Sequence, residues 1–300
     1  MTDPLPAPGP SPSPAASPRP GSGQRSGQGS GQGSGERRGT IQSVERAARI
    51  LKVLGTGTTR MGVTDIAERL GLAKGTAYGL LRTLEAQELV EQDPETDKYR
   101  LGPALLQLGN AFLDNHELRA RSLLWADSLA SRVGEAVRVG VLHGSNVLIV
   151  HHVFRPDNSV QILEVGASIP WHACALGKAI AAYRPEAARR ALLDSELMRL
   201  TGRTVIDAAA LEATLATIAE EGTAFEDEEA IVGEAEIAAP VFDDMGHSTG
   251  AIGVVGPVER LVPDGQAASA LVAAVRETSR GLSRDMGAGR TRTRGGAVTP

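Results

Sequence analysis

Residues 63–84 read Val-Thr-Asp-Ile-Ala-Glu-Arg-Leu-Gly-Leu-Ala-Lys-Gly-Thr-Ala-Tyr-Gly-Leu-Leu-Arg-Thr-Leu. The stretch predicts two helices around a corner. Thr64 to Leu70 is a short helix, with Thr64 placed to cap its N-terminus and Asp65 favouring its first turn. Gly71-Leu72 is a tight turn, because glycine tolerates the positive φ of such a corner. Lys74 to Gln87 is the next helix. Ala67 is small where the two helices must cross. Ala77, Leu80, Leu81 and Leu84 form an inward face. That leaves Lys74, Gly75, Thr76, Tyr78, Gly79 and Arg82 outward, a face that fits a DNA major groove with its N-terminal residues nearest the base edges. Lys74 and Arg82 suit phosphates or a guanine edge, Thr76 a phosphate or a thymine methyl, and the two glycines close backbone approach. Thr64, opening the preceding helix, joins the DNA-facing set.

Helix spacing of this kind is weak evidence alone, so the flanks matter. Upstream, Val44, Ala47, Ala48, Leu51 and Leu54 mark a helical face over Gln42 to Leu54. Downstream, Leu89 to Glu91 and Lys98 to Leu101 read as short strands around the turn-rich Asp93-Pro94-Glu95-Thr96-Asp97. The hairpin presents Lys98, Tyr99 and Arg100 to the DNA backbone or minor groove. Residues 40–104 are therefore expected to form a winged helix-turn-helix that binds a double-stranded DNA operator. Residues 1–39 are Pro-, Ser-, Gly- and Gln-rich and are expected to be a disordered tail. The chain carries a net charge of −5, which looks wrong for a DNA binder. By segment the charge is +2 over residues 1–40, 0 over 41–104 and −7 over 105–300. The 41–104 unit must bind phosphate by placement of charge rather than by its total.

Pro103 to Arg132 is strongly helical with a break near Asn115, giving a linker helix at 105–118. Strands are expected at Val137 to Leu142, Val147 to Val153, Val160 to Val165, Ala235 to Phe242 and Gly250 to Val255. Helices are expected at Ala175 to Tyr183, Pro185 to Leu193, Ala208 to Glu221 and Gln266 to Leu282. Hairpin-linked strands with outer helices give an α+β class with an antiparallel sheet over 119–286; residues 287–300 look like a basic, frayed tail. Cys174 is the single cysteine, so intrachain disulfides and multi-cysteine metal sites are excluded. With no apolar run near the ~18 residues of a membrane span and no secretory signal, a cytoplasmic protein without cofactor, metal or membrane partner is expected.

Several motifs in order resemble the IclR family of bacterial regulators. They are Ile41 to Ala47, Ile66 to Thr76 and Tyr99 to Gly102, followed by Leu163 to Gly166, Pro170 to Ala173, Gly177 to Ala179 and Ala238 to Val241. The resemblance covers about residues 41–282. It implies a profilin- or GAF-like effector domain, a homodimer or dimer of dimers, and a palindromic operator. It also implies a small-molecule pocket lined by Cys174, Ala175, Leu176 and Gly177, by Glu226 or Asp227, and by Glu236, Gly253 and Val255. The amides opening the helix at Leu176, with Lys178 nearby, would suit an anion. The sequence departs from the family at Glu236, where many members have Cys, and at Gly253 and Val255, where they have Ser. A carboxylate at Glu236 repels anions and instead suits a polyol's hydroxyls, unless Glu236 is merely an exposed strand residue. His116 to Arg121 and Val150 to Asp157 resemble the glycerol-operon subgroup of actinomycetes, which implies repression of glycerol catabolic genes relieved by glycerol or its 3-phosphate. Sensing of a small organic acid stays open. A rival reading makes Cys174 and His172 a hydrolase nucleophile and base; another has the sensor act through protein contacts without DNA. The acidic run Glu226 to Glu229 reads most simply as a solvated loop.

Overall fold

The computed structural model describes residues 41–56, 60–157 and 161–289. The expected tail at 1–39, most of that at 287–300, and Val160 fall outside these described residues. Three helices and a hairpin come first: α1 (Gln42–Gly55), α2 (Val63–Leu70), α3 (Lys74–Ala86), β1 (Val90–Gln92) and β2 (Tyr99–Leu101). They close on one core of Ile50, Leu54, Ile66, Leu70, Leu81, Leu84, Val90 and Tyr99. The burying side of α1 centres on Ile50 and Leu54, whereas Val44 and Ala48, expected to face inward, are exposed. Thr64 is not the cap of α2. Gly62 occupies that position, and its amide donates to the Asp65 carboxylate at 3.2 Å. The corner is as the sequence requires: Gly71 has φ +62°, and the Leu72 amide returns to the Ala67 carbonyl at 2.9 Å.

Helix α4 (Ala104–Asp114) leads to α5 (Glu117–Val133) through a break at Asn115-His116, where the His116 ring accepts the Arg119 amide. Leu118 already belongs to the sheet core, so the linker helix is α4, and the expected boundary after residue 118 falls inside α5.

The sheet has six strands: β3 (Ala136–His143), β4 (Asn146–Val153), β5 (Ser168–Pro170), β6 (Ala224–Asp227), β7 (Glu234–Phe242) and β8 (Ser248–Pro257). Their spatial order is β5-β4-β3-β8-β7-β6, and every pairing is antiparallel. Two strand expectations change. Residues 161–165 are not a strand, because Ile162 and Leu163 point to solvent and Gly166, at φ +90°, turns the chain into β5 instead. The acidic run expected in a solvated loop begins inside β6, paired to β7.

Helices cover both faces of the sheet. On one, α5 and α10 (Ser269–Asp285) pack over Val137, Val139, Ile237 and Ile252, with the short α9 (Val258–Leu261) at the end. On the other, α6 (Ala175–Ala181) and α8 (Ala208–Glu221), flanked by α7 (Glu186–Leu193), pack over Val147, Ile149, Ala238 and Ala251. Because both faces are covered, the strands lose the apolar–polar alternation of a half-exposed sheet. Gly287 pairs with Asp243, so the ordered chain continues past the expected end of the domain. Among the described residues, no helix is long and apolar enough to cross a membrane.

Candidate DNA interface and sensor site

The exposed side of α3 carries Lys74, Gly75, Thr76, Tyr78, Gly79 and Arg82, while Ala77, Leu81 and Leu84 are buried beneath it. A Cβ built on Gly75 or Gly79 meets nothing within 4 Å, so bare backbone faces outward at two successive turns. Thr64 is exposed on α2. Lys98 and Arg100 are exposed on the wing, but Tyr99 between them is 1% exposed and cannot touch DNA. The reason is strand alternation: neighbours on β2 point to opposite sides. Tyr99 also bridges Met61 through two backbone hydrogen bonds, tying the wing to the start of α2. Arg82 pairs with Glu85 at 3.2 Å, and Arg100 donates to Glu91 at 2.9 Å across the hairpin. Exposed ion pairs of this kind are worth about 0–1 kcal/mol. They aim the guanidiniums without locking them away from phosphate.

The sensor residues gather between α6 and the sheet. Glu236 and Val255 face each other on β7 and β8, Gly253 lies opposite Arg138 of β3, and Glu226 lies opposite Glu236 on β6. Asp227 does not join them. It pairs with Ala235, whose side chain lies in the core under α5 and α10, and it makes an ion pair with Arg203 at 2.5 Å. Gly177 sits where the backbone of α6 rides on Trp171. A Cβ there would lie 2.2 Å from the Trp171 carbonyl oxygen, so only glycine lets α6 approach this closely.

Glu236 is fully buried, not an exposed strand residue. One of its oxygens accepts the Leu176 amide at 3.1 Å; Oε1 has no hydrogen-bond partner and lies 3.7 Å from Arg138 Nη1. The helix start expected to take a ligand's anion thus holds a carboxylate of the protein itself. Arg138 is clamped by Glu164 through two hydrogen bonds, the Nη2 one at 2.5 Å. Lys178 is bound to Glu229, and the Glu229 amide donates to Glu226 at 2.7 Å. Both buried cations are therefore matched with acids already. Burial by itself would lower the pKa of Arg138, but the Glu164 bonds and the charges of Glu236 and Glu234 outweigh it and raise the value. Burial pushes Glu226 up to about 8, with the neighbouring Glu236 adding to the rise. Glu236 is also raised by burial, against the pull of Arg138. Near neutral pH, Glu226 is a protonated acid that can both donate and accept hydrogen bonds.

Cys174 and His172 do not form a nucleophile–base pair. The thiol faces the Pro170 carbonyl and is pushed up by burial, while His172 Nε2 bonds the Met198 carbonyl at 3.0 Å. His151 and His152 point to opposite faces, opposite Val139 and Arg138 respectively. The residues that sequence reading passed over are Arg138 and Glu164. The available signal was an arginine inside the apolar run Ala136-Val137-Arg138-Val139, a position that burial allows only with a partner.

The family models agree with this architecture. The IclR helix-turn-helix domain matches residues 43–94, and the bacterial transcriptional regulator IclR C-terminal domain matches residues 110–284. The chain is 54% identical over 250 residues to a glycerol operon regulatory protein of Streptomyces griseus, covering 83% of this chain and 98% of that one. A protein of the same name from Streptomyces coelicolor is 51% identical over 250 residues, with the same coverage of each chain. The crystal structure of an IclR transcriptional regulator from Alicyclobacillus acidocaldarius superposes with a TM-score of 0.71 at 28% identity, covering 82% of this chain and 99% of that one. With both domains matched in order, on a wing and recognition helix that expose their basic groups and a sensor sheet that buries its own, the chain belongs to the IclR family of DNA-binding transcriptional regulators.

Proposed function

We propose that this regulator represses genes of glycerol catabolism and is released from its operator when a neutral polyol, glycerol itself, enters the site between α6 and the sheet. The observation that carries the choice of ligand is the charge matching. Arg138 is taken by Glu164 and Lys178 by Glu229, while Glu236 and Glu226 offer carboxyl oxygens. A phosphate ester or organic acid would find no free cation there and would face the Glu236 carboxyl, whereas hydroxyls pair with both carboxyls. The names of the two Streptomyces relatives point to the same pathway.

The protein works as a homodimer or a dimer of dimers on a palindromic operator. Helix α4 supports this reading. None of its eleven residues is buried, and Leu106, Leu108 and Phe112 are all more than half exposed. An apolar helix left open to water calls for a partner, and a second copy would set two recognition helices about one DNA turn apart.

Titration of the purified protein against DNA from upstream of its own gene tests the reading. Glycerol should release the DNA at concentrations where glycerol 3-phosphate and small carboxylates do not, and Glu236→Ala should abolish that response while binding DNA normally. Release by a carboxylate alone would replace the polyol with an organic acid. Arg82→Ala should weaken operator binding by about 1–3 kcal/mol; unchanged affinity would refute the assignment of α3 as the recognition helix.

A further inference from the structure

A second polar cleft lies well away from the sensor site. Strand β6 pairs with β7 only as far as Ala238; beyond it α10 lies along this edge, Ser279 donating to the Pro240 carbonyl and the Phe242 amide donating to the Ser283 hydroxyl at 3.1 Å. The C-terminal end of α8 and one side of α10 wall this edge into a cleft of about 520 Å³. Arg276, Arg280 and Arg284 line it at successive turns of α10, a row spanning roughly 12 Å. Arg280 and Arg284 are exposed and form no ion pair among the described residues. Arg276 donates to Thr223 at 3.2 Å, but its Nε is buried without a hydrogen-bond partner. With its Nε covered by protein, Arg276 meets an anion in the cleft through its terminal nitrogens. The floor is apolar, with the rings of Tyr183 and Phe242 packed edge to face at 5.0 Å. Glu220 and Glu221 line the far wall and pair with none of the arginines, so the cleft has a cationic side and an anionic side.

We propose that this cleft binds a small phosphate-bearing molecule, its phosphate held by the forks of Arg276, Arg280 and Arg284 and its organic part lying on Tyr183 and Phe242. Guanidinium pairs match phosphate oxygens bidentately, and neighbouring arginines one helical turn apart reach the same group. The acidic wall disfavours ligands whose organic part carries a further negative charge. The cleft is four to six residues along β7 from Glu236, roughly 13–20 Å, so the two sites can be filled together.

Inorganic phosphate and pyrophosphate are the probes, used on the full chain in thermal-shift and calorimetric titrations at constant ionic strength. Pyrophosphate should raise the melting temperature more than chloride or acetate does, since a ligand held only by the folded state stabilises it. The double variant Arg280→Ala/Arg284→Ala should weaken pyrophosphate by about tenfold or more while keeping its operator affinity. Equal stabilisation by acetate would overturn the proposal. So would unchanged pyrophosphate binding in the double variant, or loss of binding on replacing Arg290, Arg292 and Arg294 instead. A double variant that binds pyrophosphate normally but changes its sedimentation mass would show the cleft to be a contact between copies, which also overturns the proposal.

Discussion

Glu226 is a carboxyl group with 3% of its surface exposed, held among Glu236, Glu229 and Lys178. Its folded pKa of about 8 lies far above the ordinary carboxylate value, so the folded protein binds a proton there that the unfolded chain has already lost. Stability from this group is complete below the unfolded pKa and is lost as pH rises towards 8. Thermal melts between pH 5 and pH 8 should therefore show a falling melting temperature. Glu226→Gln, which keeps the shape and removes the titration, should flatten that slope and raise stability at pH 8 by an amount on the order of a few kcal/mol. An unchanged slope would mean that the group titrates normally. Tyr99 teaches a related lesson. Lys98, Tyr99 and Arg100 read as one DNA-facing triplet, yet a strand turns its middle member inward, and the tyrosine is a buried anchor of the wing.

Helix α3 shows how an element trades stability for function. Two glycines in its first two turns lower helix propensity by about 0.5–1 kcal/mol each relative to alanine. Nothing packs against either of them. Gly79→Ala should thus raise the unfolding free energy of the N-terminal unit by about 0.5–1 kcal/mol, measured by chemical denaturation. The same methyl groups stand where DNA backbone would approach, so Gly75→Ala/Gly79→Ala should weaken operator binding despite the gain in stability. The opposite constraint rules α6. There a methyl at Gly177 collides with the Trp171 backbone, and Gly177→Ala should destabilise the sensor domain by about 1–3 kcal/mol or more. Elements with a period in the sequence were legible: α8 spans Ala208–Glu221 as the apolar pattern indicates. Strand β6 was not, because its acidic residues carry the pattern of a loop and are stabilised only by partners far along the chain.

At the scale of the molecule, α4 joins a DNA-reading unit to a sensor; only Leu113 packs on the sheet core, and Leu106, Leu108 and Phe112 stay more than half exposed. On the proposed dimer, Leu106→Glu/Phe112→Glu should yield monomers in sedimentation experiments and reduce operator affinity, because two half-sites would no longer be held by one particle. Folding should be retained, since both side chains are exposed already. If the doubly substituted protein stayed dimeric, the contact between copies would have to lie elsewhere. Filling the sensor site can change operator affinity only through a difference in effector affinity between the DNA-competent and released conformers. The break between α4 and α5 at Asn115-His116 is the joint through which such a difference can reach α4.

Local pattern was enough for the helix-turn-helix. Its signals are a helical period, a glycine that permits the left-handed corner, and a hairpin directly after, all within about sixty residues. The same kind of pattern was enough for the α+β class. The chemistry of the sensor needed the folded chain. Arg138, Glu164, Lys178, Glu226, Glu229 and Glu236 come from separate elements, and they meet only when β3, β7 and β6 enter one sheet and α6 closes over it. Whether a buried carboxylate repels an anion or simply neutralises a neighbour depends on which charges face it through space. One-dimensional order does not specify that pairing.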